Sequence, residues 1–390
     1  MTLIFISSKK MPTRKREVIV SHSADRDCPL CGSDRTETKF LVGKQKIVTC
    51  RNCDFVYADE GEADLSQYGD NYFSAGKTEK GYVDYETEVE SHLATFSARL
   101  ADAEAKMGGP GLVLDIGCAL GHFAMAAKAR GWHVVATDVS VEAATKTRLR
   151  TGVPTFVSDL NTPAIKPGLC DVIAIYDVIE HVADPKPVLQ RLRNRLQPQG
   201  WLHLTTPNVA SFSARLLGSK WYHYKPGEHL LYFSPKTLRS CLTDAGWECT
   251  EIKSARSKMS IGAILLRLKR YSSSVFGLAH RMTVKIGLAE KIISVPIGEM
   301  QAWAQPAVSP IKGAQKPKLV RPKPISTDQV ADLPILGLLC CPDCEGELDY
   351  RRDWGNIRCQ SCPSRFDLQY GIPILMPQRA PRQLKLAGSA

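Results

Sequence analysis

Between residues 112 and 252 short apolar runs alternate with stretches of helical periodicity. The runs at 112–116, 133–137, 154–157, 171–177, 200–206 and 247–252 have strand length and sharp polar borders, and predict six strands. The segments between them predict helices. One covers about 121–130, and another opens at Ser140, a good N-cap. Asp184-Pro185 caps and starts a third, and Ser234-Pro235 opens a fourth that ends at Gly246. Pro207 stops the fifth strand. Strand and helix in regular alternation predict an α/β fold with a doubly wound parallel sheet. A helical stretch precedes it, reaching about Lys106 before Gly108-Gly109-Pro110-Gly111 breaks it. After it, Met259 to about Ile293 mixes apolar and basic residues and predicts further helix. Ile261, Ile264, Leu265 and Leu268 sit at helical spacing, with Lys258, Arg267, Lys269, Arg270, Arg281, Lys285 and Lys291 among them. Two readings stay open there: a helical pair packed on the sheet or over a site, and a basic amphipathic surface for anionic membrane.

The first strand carries the most specific chemistry. Leu112 to Phe123 reads LVLDIGCALGHF, and the next strand ends in Asp138. Asp115 precedes a tight turn containing Gly117 and Gly121. A dinucleotide fingerprint would need glycines at 117, 119 and 122, where the chain has Gly117, Ala119 and His122. A pyrophosphate cradle is therefore not expected. What remains is close backbone approach to a ligand, Asp115 beneath it, and Asp138 placed for ribose hydroxyls. A cofactor with a ribose, a positive charge and no phosphate fits. Asp115 has a plainer reading as a strand-end acid capping the next helix, and Asp159, past the third strand, one as a turn former.

Eight of the 13 cysteines form four Cys-x-x-Cys pairs: Cys28/Cys31, Cys50/Cys53, Cys341/Cys344 and Cys359/Cys362. Eighteen residues separate the first two pairs and 14 the last two, which is close to the spacing of four-cysteine zinc ribbons. Segments this short bury too little core alone, so metal would supply folding energy. Closed sites of four thiolates predict two structural zinc ions. The competing reading is a redox dithiol. Cys118, Cys170, Cys241, Cys249 and Cys340 are left as small apolar residues.

The expected organisation is a basic tail at 1–27, a ribbon at 28–58, the α/β domain at 59–255, a helical basic-apolar segment at 256–304, a proline-rich linker at 305–330, a second ribbon at 331–378 and a tail at 379–390. The net charge of +11 owes much to the basic stretches 9–16 and 312–323, which read as solvated tail and linker more readily than as a nucleic-acid footprint. No apolar run reaches the roughly 18 residues of a membrane span, and Leu3-Ile4-Phe5-Ile6 is too short for a secretory leader. A cytoplasmic protein is expected.

From Tyr68 to Ile252 the chain resembles the class I S-adenosylmethionine-dependent methyltransferases. LDIGCALG resembles their first motif, with Ala119 in place of the middle glycine; Asp138 matches the acid on the ribose hydroxyls. Ser158-Asp159-Leu160 matches the place where an acid meets the adenine amino group, and Tyr176 to Pro185, YDVIEHVADP, matches the fourth motif. The resemblance implies S-adenosylmethionine as cofactor, held by Asp115, Gly117, Gly121, Asp138, Asp159 and Asp177, in a Rossmann-like methyltransferase sheet flanked by two small zinc ribbons. Asp177, Glu180 and His181 also match a divalent-metal site of quinone-biosynthesis O-methyltransferases, although such Glu-His pairs occur widely without metal. His181, with Glu180 and with His229 of Gly227-Glu228-His229, is a candidate base or acceptor-orienting group. Trp221, Tyr222, His223 and Tyr224 either hold an apolar or sugar acceptor or pack on the sheet end. Residues 229–248 are similar to bacterial methyltransferases that follow an N-terminal zinc ribbon and modify sugars, lipids or secondary metabolites.

The second ribbon resembles the small zinc-ribbon activators of tRNA and protein methyltransferases, through its Cys-Pro-x-Cys start and Tyr370-Gly371-Ile372-Pro373 ending. It could add a strand to the sheet edge, with Ile372, Ile374 and Leu375 as its apolar patch. The plainer reading is a terminal ribbon without catalytic effect. Three functions follow: methyl transfer to a small-molecule, sugar or lipid-linked acceptor; RNA methylation guided by the ribbons; or a cofactor-binding scaffold. The first ribbon mixes Arg26, Arg35, Lys39, Lys44, Lys46 and Arg51 with Asp25, Asp27, Asp34, Glu37 and Asp54, which is no basic stripe.

Overall fold

The structure is a computed structural model that describes residues 26–59, 88–307 and 333–378. The expectations for 1–25, for 60–87, for most of the proline-rich linker and for the final tail lie outside those residues. In chain order, β1 (Thr36–Val42), β2 (Gln45–Cys50) and β3 (Val56–Ala58) form an antiparallel meander. There follow α1 (Val89–Met107), β4 (Leu112–Ile116), α2 (His122–Ala129), β5 (His133–Asp138), α3 (Val141–Thr151), β6 (Thr155–Ser158), β7 (Cys170–Tyr176), α4 (Pro185–Arg193) and β8 (Leu196–Pro207). Then come α5 (Phe212–Leu217), β9 (Leu231–Tyr232), α6 (Pro235–Asp244), β10 (Trp247–Ser260), α7 (Ile261–Leu268), α8 (Ser273–Lys285) and β11 (Ile292–Pro306). The last segment holds β12 (Leu348–Tyr350), β13 (Ile357–Cys359), β14 (Arg365–Gln369) and β15 (Ile372–Leu375).

Strands β6, β5, β4, β7 and β8 lie side by side and parallel. Their inward positions, including Val113, Leu114, Ile173 and Leu204, are fully buried, as expected of strands covered by helices on both faces. β11 runs antiparallel to both β8 and β10 and completes this side of the sheet. Order reverses between β4 and β7, so the loops at the carboxyl ends of β4, β5 and β7 open onto one crevice. Local signals act as read at two helix starts. Ser140 accepts the Ala143 N–H, and Ser234 forms a capping box with Thr237.

Three expectations need correction. Asp184 stands at the N-cap of α4, but its side chain makes no cap hydrogen bond; Pro185 at the first turn sets the start. The sixth strand does not end at Ile252 but continues to Ser260. Residues 256–304 are not one helical segment. They contribute the end of β10, two helices, and most of β11, a seventh strand. The helical spacing is real across α7, but beyond Lys291 pairing with β8 on one side and β10 on the other overrides it. β11 also takes Gln305 and Pro306 from the expected linker.

Both terminal segments are joined to the α/β domain by strand pairing. β3 pairs antiparallel with β9, and Phe55 packs on Phe233 with ring centroids 5.1 Å apart. β3 and β9 belong to a separate four-stranded sheet, whereas β15 pairs parallel with β6 of the main sheet, matching Ile374 to Val157 and Leu375 to Ser158. β14, β13 and β12 then extend the same sheet. Leu336 and Leu339 enter the main core, Arg195 contacts Glu345, and Lys166 reaches Glu347 at 2.8 Å.

Candidate functional site

A cavity of about 770 Å³ opens above the carboxyl ends of β4, β5 and β7. Its first wall is the turn after β4. Gly117 and Gly121 both have positive φ, +75° and +79°, which glycine adopts without strain. A Cβ on Gly117 would stand 2.4 Å from Val178, so the turn and the loop after β7 are in direct contact. Ala119 also has positive φ, +48°, a strained choice for a residue with a side chain. Two bonds hold it there: its N–H donates to Asp138 Oδ2 (3.0 Å) and its carbonyl accepts from Thr147 (2.9 Å). Asp138 also accepts the Ser140 N–H at 2.9 Å through Oδ1. Each oxygen keeps a lone pair for a further donor.

Asp115 lies beneath the turn, buried, and its Oδ2 has no hydrogen-bond partner among the described residues. Burial, with Asp138 nearby, pushes its carboxyl up to about 8. It caps no helix within the structure: α2 shows no side-chain cap bond. Asp159 also lines the cavity, but its carboxylate accepts the backbone N–H of Asn161 at 2.9 Å, the turn-forming role.

The opposite wall comes from the loop after β7, the segment before β9, and β11. Asp177 has φ +56° and accepts the Thr205 hydroxyl at 3.0 Å. Glu180 is fully buried; Oε2 accepts the Thr206 hydroxyl (3.0 Å), while Oε1 has no partner among the described residues. Burial first, then Asp177, drives its carboxyl well above the usual range. His181 donates from Nδ1 to the Glu228 carbonyl at 2.8 Å. Its ring meets that of His229 edge-on, centroids 4.7 Å apart, and Nδ1 of His229 is buried and unpartnered among the described residues. Burial pushes His181 down to about 4 and His229 well below the usual imidazole range, so both rings are neutral at pH 7.

Among the described residues the ligand atoms of Glu180, His181 and His229 lie within 4.8 Å of one another. This replaces the expected trio: His229 converges on Glu180 and His181, while Asp177 is tied to Thr205. Two imidazoles and a carboxylate could hold a divalent ion. The aromatic cluster divides. Trp221, Tyr222 and His223 line the cavity, whereas Tyr224 packs on Phe40 of β1 at 4.9 Å. Glu299 was not anticipated. It stands on β11 at the cavity wall, buried, with Oε2 unpartnered among the described residues, and burial with Asp177 nearby raises it to about 8. Its strand was unrecognised in the sequence, and no motif marks it. Arg99 of α1 was missed as well; its guanidinium lies 4.8 Å from the ring centroid of Tyr176 and faces the same cavity.

Away from the cavity the two cysteine quartets each close into a cluster. Sulfur separations are 3.6 Å for Cys28–Cys53 and for Cys31–Cys50, 3.7 Å for Cys341–Cys362 and 3.4 Å for Cys344–Cys359. These are far too long for disulfides. They match the spacing of about 3.8 Å that tetrahedral thiolates take around one ion at a bond length of about 2.3 Å.

Residues 85–252 match a family described as a methyltransferase domain. The chain is 30% identical over 179 residues to a ubiquinone biosynthesis O-methyltransferase of Xanthomonas axonopodis pv. citri, covering 41% of this chain and 70% of that protein. It is 30% identical over 128 residues to the enzyme of the same description from Paraburkholderia xenovorans, covering 31% of this chain and only 55% of that one. Among solved structures it is similar to a chain from the complex of the Haloferax volcanii Trm112 methyltransferase activator with a methyltransferase, at TM-score 0.41 and 15% identity, covering 57% of this chain and 95% of that one.

Proposed function

Since the chain belongs to the class I S-adenosylmethionine-dependent methyltransferases, we propose that it methylates an oxygen of a small-molecule acceptor held in the cavity beside the turn after β4. One observation carries this reading. One cavity has the turn with its two acids on one wall and Glu180, His181, His229 and Glu299 on the other. Its volume suits a cofactor and a small acceptor together. The residues fit the cofactor: Asp115 offers an unsatisfied buried carboxylate oxygen, and the fixed carboxylate of Asp138 has lone pairs for ribose hydroxyls. S-adenosylmethionine supplies, when bound, a methyl group on a positively charged sulfur. The chain's own part is alignment and proton handling. His229 Nδ1 takes the acceptor's proton, and neutral His181 and Glu180 orient the hydroxyl. Glu180, His181 and His229 are also the residues that would hold a divalent ion, which would lower the pKa of an acceptor hydroxyl.

We propose further that each cysteine quartet binds one structural zinc, which would make the flanking modules zinc ribbons. The test of the catalytic reading supplies methyl-labelled cofactor with a small-molecule extract in one reaction and total RNA in another. Label is expected in the small-molecule fraction alone. His229→Asn should lower turnover by about 10²–10⁴-fold, the usual share of a general base, with cofactor affinity unchanged. Label in RNA alone, or full turnover by the variant, contradicts the reading.

A further inference from the structure

The hairpin α7–α8 roofs the cavity. Ile264, Arg267 and Leu268 of α7 line the space, and Arg267 is anchored to Glu88 at 2.8 Å. No residue of α8 is buried. Val275, Leu278, Met282 and Ile286 follow one another at helical spacing and are all exposed, Val275 at 62% and Ile286 at 61%. They form one narrow stripe along the helix. Val284 and Leu288 add further exposed apolar area. By their helical positions Arg281 and Lys285 border the stripe along one side, and Lys269, Arg270 and Lys291 lie in the turns next to the helices, all exposed. Between residues 261 and 298 the only acid is Glu290. A contiguous exposed apolar patch rimmed by polar residues marks an interaction site.

We propose that this hairpin docks on the surface of an anionic lipid bilayer, its apolar stripe entering the headgroup boundary and its cations meeting lipid phosphates. The pattern is that of an interfacial helix: an apolar face bordered by cations. Charge decides against a second copy of the chain, because a two-fold contact through the stripe would set Arg281 and Lys285 against their own equivalents with one acid per chain to offset them. Docking would press the roof of the cavity against the lipid. The acceptor would then be a molecule whose reactive head enters the cavity while its tail stays in the bilayer, a clause that rests on the function proposed above.

The test is flotation of the full-length protein with vesicles of phosphatidylglycerol and phosphatidylcholine, and with vesicles of phosphatidylcholine alone. The protein should float with the anionic vesicles at low salt and be released at high salt. Leu278→Glu/Met282→Glu should abolish flotation, and Arg281→Glu/Lys285→Glu should weaken partitioning about tenfold or more. None of these four residues lines the cavity, so cofactor binding and melting temperature should not change. Absence of flotation by the wild type overturns the inference, as does equal flotation by the first variant, which would assign binding to another surface. A wild-type dimer that Leu278→Glu/Met282→Glu turns into a monomer, without flotation, assigns the patch to self-association instead. Calorimetry with S-adenosylmethionine on the same samples separates the two claims: a protein that binds cofactor but ignores vesicles sinks only the docking, whereas one that binds no cofactor sinks the proposed function.

Discussion

Asp115 shows how a single carboxyl couples the site to stability. Burial raises its pKa from an ordinary 3.8 to about 8, so across that window the folded protein keeps a proton that the unfolded chain releases. Stability therefore falls as pH rises from about 4 to about 8. His181 acts in the opposite sense: pushed down to about 4, it resists a proton that the unfolded chain accepts near 6.5, so stability is lost as pH falls through that range. A variant isolates the acid. Asp115→Asn should match the wild type near pH 4 and exceed it by at least about 1.4 kcal/mol near pH 8, the equivalent of one pKa unit. Urea unfolding at both pH values checks this, and a difference that does not change with pH contradicts it. Asp115 and Asp138 were legible because each stands at the carboxyl end of a strand in a motif of known order. Glu299 was not, since its strand falls in a segment that reads as helix in the sequence and a lone glutamate there belongs to no motif.

At the scale of elements, the parallel core was the easiest part to read. Its strands are buried on both faces, so the apolar runs stand out against amphipathic helices and glycine breaks. β11 was hidden because its partners, β8 and β10, are remote in sequence, and only that pairing makes it a strand. The addition of a strand to the sheet edge was an open alternative in the sequence, and β15 on β6 is that arrangement. It carries a stability prediction. Ile372 is buried with Ala144 and Val157, so Ile372→Ala should cost about 2–4 kcal/mol, as for other large-to-small core changes. Denaturant unfolding followed through the tryptophans measures it; a loss below about 0.5 kcal/mol, the range of surface changes, means that the strand adds little to the domain's stability.

Across the whole molecule, two cysteine-rich modules are held to different strands of one α/β domain, each by a strand pair, and a cationic hairpin roofs the cavity. If each quartet holds zinc, elemental analysis should find about two zinc per chain, and strong chelation should lower the melting temperature, because the metal then contributes to folding. Metal-free protein with an unchanged melting temperature contradicts that part. The cysteine spacing alone pointed to the quartets; the cavity wall facing the turn was not legible, because its side chains come from the loop after β7, the approach to β9 and β11, which only the fold assembles. On the function proposed above, the acids at the carboxyl ends of β4 and β5 hold S-adenosylmethionine. Isothermal titration calorimetry of the wild type and of Asp138→Ala tests it most directly. One molecule of S-adenosylmethionine should bind per wild-type chain, and the variant should bind it more weakly by about 1.5–3 kcal/mol, the value of hydrogen bonds to a charged group. A wild type that binds NAD but not S-adenosylmethionine, or a variant that binds S-adenosylmethionine as tightly as the wild type, would contradict it.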